Sequence, residues 1–215
     1  MTEPFIRNHH LNVIKNQGRY IQHCFRDVED SNVMQAVKGQ AADHVKDAFS
    51  ALKEEEAAVI EPISEVTTSI GVEAFIGSVY PYVQPFPSLD KEQVRQLFPH
   101  HKKMQLPDLE AVDFSQRTYL GWNDPGHRKK FIVYELDGKL IGLEGRYTPS
   151  KKRDYCFFCQ ELMPVTLVSF ETNDTDEGNP EFYRAIGQHI CIDSGQCNKN
   201  ITDVSRLEHF VRRVV

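Results

Sequence analysis

The chain has 215 residues, with 25 Lys+Arg against 31 Asp+Glu for a net charge of −6, 40% hydrophobic residues and 26% charged ones. At roughly 150 residues per domain this allows one large or two small units with real cores, and it excludes general disorder. No run of about 18 apolar residues is present and Met1-Thr2-Glu3-Pro4 lacks the features of a secretory signal, so a soluble, cytoplasmic protein is expected.

Along the chain, Ile6, His10, Val13, Ile14, Tyr20, Ile21 and Cys24 recur at helical spacing and predict a first helix. A second begins at Ser31 or Asn32, either a suitable N-cap, and carries Val33, Met34, Val37, Ala41, Val45, Ala48 and Phe49 on one stripe. A third runs from Leu52 to Ile60 and stops at Pro62; a fourth runs from Thr67 to Tyr80. Four short amphipathic segments predict a helical bundle over residues 1–82, closed off by Pro81, Pro85 and Pro87. The charge changes at the same place. Residues 1–82 hold 7 basic and 12 acidic side chains, a balance of −5, whereas residues 83–215 hold 18 and 19, a balance of −1.

Beyond the prolines, Ser88 or Asp90 caps a helix through Val94, Leu97 and Phe98. Phe131–Leu136, then Asp137-Gly138, then Lys139–Gly145 predicts a β-hairpin, because Asp-Gly supplies the positive φ angles of a type I′ turn. Val165–Phe170 and Phe182–Ile190 predict two more strands, with Asn173–Pro180 as an exposed loop. Leu207, Phe210 and Val211 predict a closing helix. The expected class is α+β: an N-terminal helical bundle, residues 1–82, followed by an α/β domain, residues 83–215.

The chemistry concentrates in Cys156-Phe157-Phe158-Cys159 and the pair Cys191 and Cys197. A Cys-x-x-Cys turn offers two thiolates from one knuckle, and a second pair can close a tetrahedral structural zinc site of treble-clef type. The last pair has five intervening residues rather than the usual two, which makes the pattern less specific. Buried thiols that merely pack are the plain alternative. A redox Cys-x-x-Cys would open a helix after a strand, whereas hairpin-like sequence flanks this one. A zinc deaminase would need Pro-Cys-x-x-Cys and an upstream His-x-Glu; Tyr155 precedes Cys156 and His-x-Glu does not occur.

Other motifs are weaker. Phosphate-binding loops, His-Glu-x-x-His and Gly-x-Ser-x-Gly are all lacking. His9-His10 and His100-His101 are read as surface residues, Cys24 as core, and Trp122, the sole tryptophan, as a core anchor. Basic clusters at Lys102-Lys103, Arg128-Lys129-Lys130, Lys151-Lys152-Arg153 and Arg212-Arg213 read as solvated faces or as phosphate contacts.

As a set, Tyr119-Leu-Gly-Trp-Asn123, Gly142-Leu-Glu-Gly145, Cys156-Phe-Phe-Cys159, Ile190-Cys-Ile-Asp-Ser-Gly-Gln-Cys-Asn198 and Thr202-Asp203 resemble the FusB-type fusidic acid resistance proteins, also called elongation factor G-binding proteins. The resemblance spans nearly all of the C-terminal unit in order. It implies a non-enzymatic protein that binds elongation factor G and promotes its release from ribosomes on which fusidic acid has trapped it. It also implies structural Zn2+ on Cys156, Cys159, Cys191 and Cys197. The family's partner contacts map onto Phe158 and Phe210, while its basic and aromatic positions before the third cysteine fall on Ile186 and His189, a departure that Arg184 offsets in charge. The runner-up is a zinc-containing RNA- or ribosome-binding module using Lys129, Lys130, Lys151, Lys152 and Arg153.

Overall fold

Helical periodicity in the first third becomes four helices: α1 (Asn8–Asp27), α2 (Ser31–Asp47), α3 (Glu54–Ile60) and α4 (Ser69–Val79). The computed structural model describes residues 2–101, 103–150, 152–172 and 184–215, and the chain divides into two compact units, Met1–Gln84 and Pro85–Val215. In the first unit, Leu11, Ile14 and Ile21 of α1 bury against Ala41 and Val45 of α2 and against Val72, Phe75 and Val79 of α4. The cap of α2 is Asp30 rather than Ser31 or Asn32: its carboxylate accepts the N–H groups of Asn32 at 2.7 Å and Val33 at 3.3 Å. A carboxylate at this place also favours the positive end of the helix dipole. Pro62 ends α3 by turning the chain into a 3-10 segment, Glu61–Glu65. A parallel bridge between Ile6 and Val83 ties the two ends of the unit together.

His9 and His10 are not surface residues. His9 is buried, and the His10 ring packs against Phe49 with centroids 4.0 Å apart and the planes tilted by 35°. His10 Nδ1 accepts the Arg7 backbone N–H at 3.2 Å, so a neutral imidazole caps the first turn of α1. Burial, with smaller contributions from His9 and Arg7, lowers its pKa from 6.5 to about 3. Between those values the unfolded chain binds a proton that the folded chain rejects. The stabilisation is therefore complete above about pH 6.5 and is lost as pH falls, by up to about 1.4 kcal/mol per pH unit. Gln at this position keeps the capping acceptor without titrating. Melting curves between pH 7 and pH 5 are expected to show the first unit losing less stability in His10→Gln than in the natural chain; equal slopes would contradict this.

The second unit starts with α5 (Lys91–Leu97), capped by Asp90 through the N–H groups of Glu92 and Gln93, each at 2.8 Å. Among the described residues six antiparallel strands follow: β1 (Leu120–Asp124), β2 (Lys129–Leu136), β3 (Lys139–Thr148), β4 (Arg153–Tyr155), β5 (Leu162–Glu171) and β6 (Ala185–Cys191). They are joined in the order β1-β2-β3-β5-β4, with β6 also on β5. The β2–β3 hairpin turns through Asp137 at φ 51° and Gly138 at φ 73°, the left-handed pair that a type I′ turn requires. The predicted start of the last strand at Phe182 and the predicted loop Asn173–Pro180 lie outside the described residues.

The run Phe131-Ile132-Val133-Tyr134 is buried on both sides of the sheet, which explains why it does not alternate with polar residues. Phe131 and Val133 join Leu120, Trp122, Val94 and Phe98 in one core; Ile132 and Tyr134 join a second. That second core is closed by α6 (Ser194–Asn200) and α7 (Ser205–Val214), through Leu207, Phe210, Val211 and Val214, and it contains the four cysteines. An α+β chain with helices first and a sheet second is what the sequence predicts.

Candidate metal centre

The knuckle and the strand end bring the thiols together. Cys156 follows β4 and Cys159 closes the tight turn, where Gln160 adopts φ 59° and donates its N–H to Cys156 O at 2.8 Å. Cys191 is the last residue of β6, and Cys197 stands in α6, in the turn capped by Asp193 through Gly195 N–H at 2.7 Å and Gln196 N–H at 3.1 Å. The five-residue spacing is thus a two-residue turn plus the first turn of a helix.

All four Sγ atoms lie within 4.8 Å of one another and all four residues are buried. Cys156 and Cys197 sulfurs are 3.8 Å apart, and Cys159 and Cys191 sulfurs 3.7 Å. A zinc ion with Zn–S of about 2.3 Å at tetrahedral corners requires sulfurs about 3.8 Å apart. A disulfide would need about 2.05 Å, so these are free thiols at coordination spacing. The surroundings also suit anionic sulfur. The Cys191 N–H points at Cys156 Sγ at 3.3 Å. Hydrogen bonds from Cys159, Cys191 and Cys197 push the Cys156 thiol far below its usual range. The buried Tyr119 hydroxyl has no well-directed hydrogen bond among the described residues, and its neighbours include Cys197 and Ser194. A thiolate there is the acceptor it lacks. Four buried thiols with no open fifth position fit a structural zinc ion, which would hold the knuckle against α6.

Supporting contacts fix α6 against β1. Asn198 is buried; its Oδ1 accepts Thr118 N–H at 2.6 Å and Tyr119 N–H at 3.1 Å, and its amide donates to Tyr119 O at 3.0 Å and Ser194 O at 2.8 Å. Gly121 allows this approach, since a Cβ would meet Ser194 Oγ at 2.6 Å. The glycine before Trp122 is therefore a packing requirement of the centre.

An elongation factor G-binding protein N-terminal model matches residues 5–87, and a model described as FBP C-terminal treble-clef zinc-finger matches residues 98–213. The chain belongs to the elongation factor G-binding protein family. The solved structure of the fusidic acid resistance protein FusC matches with a TM-score of 0.79 at 25% identity, covering 99% of this chain and 98% of that one. Among curated protein sequences none matches significantly. No described helix is long and apolar enough to cross a membrane.

The positions that the resemblance marks as partner contacts separate into two groups. Phe158 and Phe210 are interior, 0% and 2% exposed, with rings 5.6 Å apart edge to face. Phe158 also meets Tyr119, and Phe210 meets Phe170. Both rings belong to the core cluster of the second unit. Arg184 is exposed and His189 is half-buried on β6, paired across strands with Leu167. The basic residues of the RNA reading are largely engaged: Lys130 is fully buried, Lys129 pairs with Glu144, and Lys152 pairs with Asp154 at 2.6 Å. Lys151 lies outside the described residues.

The surface beside the knuckle carries no motif in the sequence. Tyr155 is 69% exposed and pairs across strands with Leu162 at 47%, while Leu167 is 41% exposed. Tyr155 and His189 line a shallow depression of 420 Å³ with Phe157, Gln160, Gln188 and Arg206. Tyrosine at a strand edge reads as ordinary β-propensity, so nothing local to Tyr155 marks it as exposed.

Proposed function

We propose that the chain is a cytoplasmic, non-enzymatic protein that binds elongation factor G through its zinc-bearing unit and promotes release of the factor from drug-stalled ribosomes. Membership of the family carries the reading. A treble-clef unit stapled by metal presents side chains at low entropic cost, and exposed aromatic side chains beside it have the character of binding anchors. Tyr155 and His189, which line one depression, and their exposed cross-strand partners Leu162 and Leu167 are the residues we assign to the factor. Release follows from differential affinity: the protein must bind the factor more favourably in its ribosome-released conformation, since equal affinity for both states would shift nothing.

Calorimetry of the full zinc-loaded chain with purified elongation factor G tests this. Binding is expected, and the double change Tyr155→Ala, Leu167→Ala is expected to weaken it by at least about 10-fold without altering the melting temperature. The affinity should change little with ionic strength, whereas a phosphate-binding RNA module would weaken steeply. Absence of binding at any salt concentration overturns the reading. Faster departure of the factor from fusidic acid-stalled ribosomes is the expected second result, and binding without faster departure would reject the release step alone.

A further inference from the structure

Lys130 is an unusual residue for a core strand, the second position of β2. It is 0% exposed, and the register of β1 on β2 sets it opposite Asn123. An ammonium has three protons, and Nζ has three acceptors: Asn123 Oδ1 at 3.1 Å, Ile192 O at 3.2 Å and Ser194 Oγ at 3.0 Å. Two of the three lie on the link between Cys191 and Cys197. The Ile192 carbonyl takes a second hydrogen bond, from Asn123 Nδ2 at 3.0 Å, which fixes the Asn123 amide with its oxygen toward the lysine. All three protons of the ammonium are thus used.

All three partners are neutral, and a buried charge is retained only where something compensates it. Burial lowers the Lys130 pKa from 10.5 to about 8, opposed by Cys197, Cys191, Cys156 and Asp193 in that order. Zinc with four thiolates carries a net charge of −2, which a dry core tolerates poorly without a cation.

We propose that Lys130 is the internal counter-cation of the four-thiolate centre, a positioning residue that offsets the charge of the sulfurs and holds the Cys191–Cys197 link in place. The claim rests on the zinc reading of the four cysteines and is independent of the partner. It goes beyond a staple between strands, because a staple needs only the hydrogen bonds and a counter-cation needs the charge. It also removes Lys130 from any set of residues that contact nucleic acid.

The test is zinc competition against a chromogenic chelator on the full-length, zinc-loaded chain. Lys130→Met, which keeps the length of the side chain and removes the charge, is expected to lower zinc affinity by about 10- to 100-fold, the effect typical of a lost outer-shell partner. Ser194→Ala removes one hydrogen bond of the staple and leaves the ammonium, and is expected to change affinity by less than about 3-fold on the same scale. Unchanged affinity in Lys130→Met, or equal losses in both variants, overturns the proposal. The natural chain supplies a measurement that does not depend on a variant folding. With 15N-labelled lysine, the zinc-loaded protein is expected to show a slowly exchanging ammonium resonance with contacts to Asn123 and Ser194. A neutral-amine resonance at pH 7, or no protected signal, overturns it as well.

Discussion

Stripping the metal is expected to unfold residues 85–215 while the helices of the first unit persist. The four cysteines are part of the same buried cluster as Ile132, Tyr134, Phe158, Phe170 and Phe210, so four unscreened thiols left in that core would lose their common partner together. Structural zinc contributes about 10–16 kcal/mol in small zinc domains, against a net stability of about 5–15 kcal/mol for a typical domain. Trp122, the sole tryptophan, reports only on the second unit, where it is buried, stacks on Phe131 at 5.2 Å and donates its Nε1–H to Gln105 O at 2.9 Å. Titration with a strong chelator should therefore abolish the native tryptophan emission cooperatively, with part of the far-ultraviolet helical signal surviving. Cys197→Ser should behave the same way without chelator. Native emission after metal loss has been verified by elemental analysis would sink the expectation.

Phe158→Ala and Phe210→Ala should act on stability first. Each ring is enclosed by other aromatics, and Phe210 also contacts Phe157 at 6.0 Å and Phe170 at 5.0 Å between centroids. Truncating a buried phenylalanine costs about 3–5 kcal/mol, which lowers the melting temperature of a unit this size by roughly 10 °C or more. Binding of elongation factor G, corrected for the fraction folded, should then stay within about 3-fold of the natural chain, a change of well under 1 kcal/mol. The Tyr155 and Leu167 variant should show the opposite pattern, with affinity lost and melting unchanged. If Phe158→Ala weakened binding strongly while melting at the natural temperature, the ring would have to leave the core to meet the partner, and the surface assignment would fall.

The elements that were legible in the sequence are those whose signal is local. Asp137-Gly138 dictates its own turn, and the strands on either side follow from it. Cys156 and Cys159 dictate a knuckle. What was not legible depends on tertiary partners. α6 reads as a poor helix, Ser-Gly-Gln-Cys-Asn-Lys-Asn, and exists because Asp193 caps it and Asn198 binds the backbone of Thr118 and Tyr119, just ahead of β1. β1 contains Gly121 and Asn123, residues that weaken a strand on their own, and both are explained by contacts with the link that follows β6. Lys130 stood in a basic triplet that resembled a solvated face, yet it lies inside β2 and is buried, whereas Arg128 stands in the turn before the strand, at φ 52°, and stays exposed. His9 and His10 show the same limit, since adjacent imidazoles carry no sequence mark of burial.

The way the thiols pair across the centre bears on the order in which the molecule forms. Cys156 faces Cys197 across 41 positions of chain, and Cys159 faces Cys191 across 32. Cys156 and Cys159 share one tight turn and can offer two ligands as soon as that turn exists. The other two arrive only when β5 has paired with β6 and α6 has formed, which requires closing loops of that length, and long-range closure is the slow part of folding. The ion is thus the clasp of a finished unit rather than its seed. Metal present in the unfolded chain would be held by half a site, and full-strength capture marks the moment when the strands have found their register.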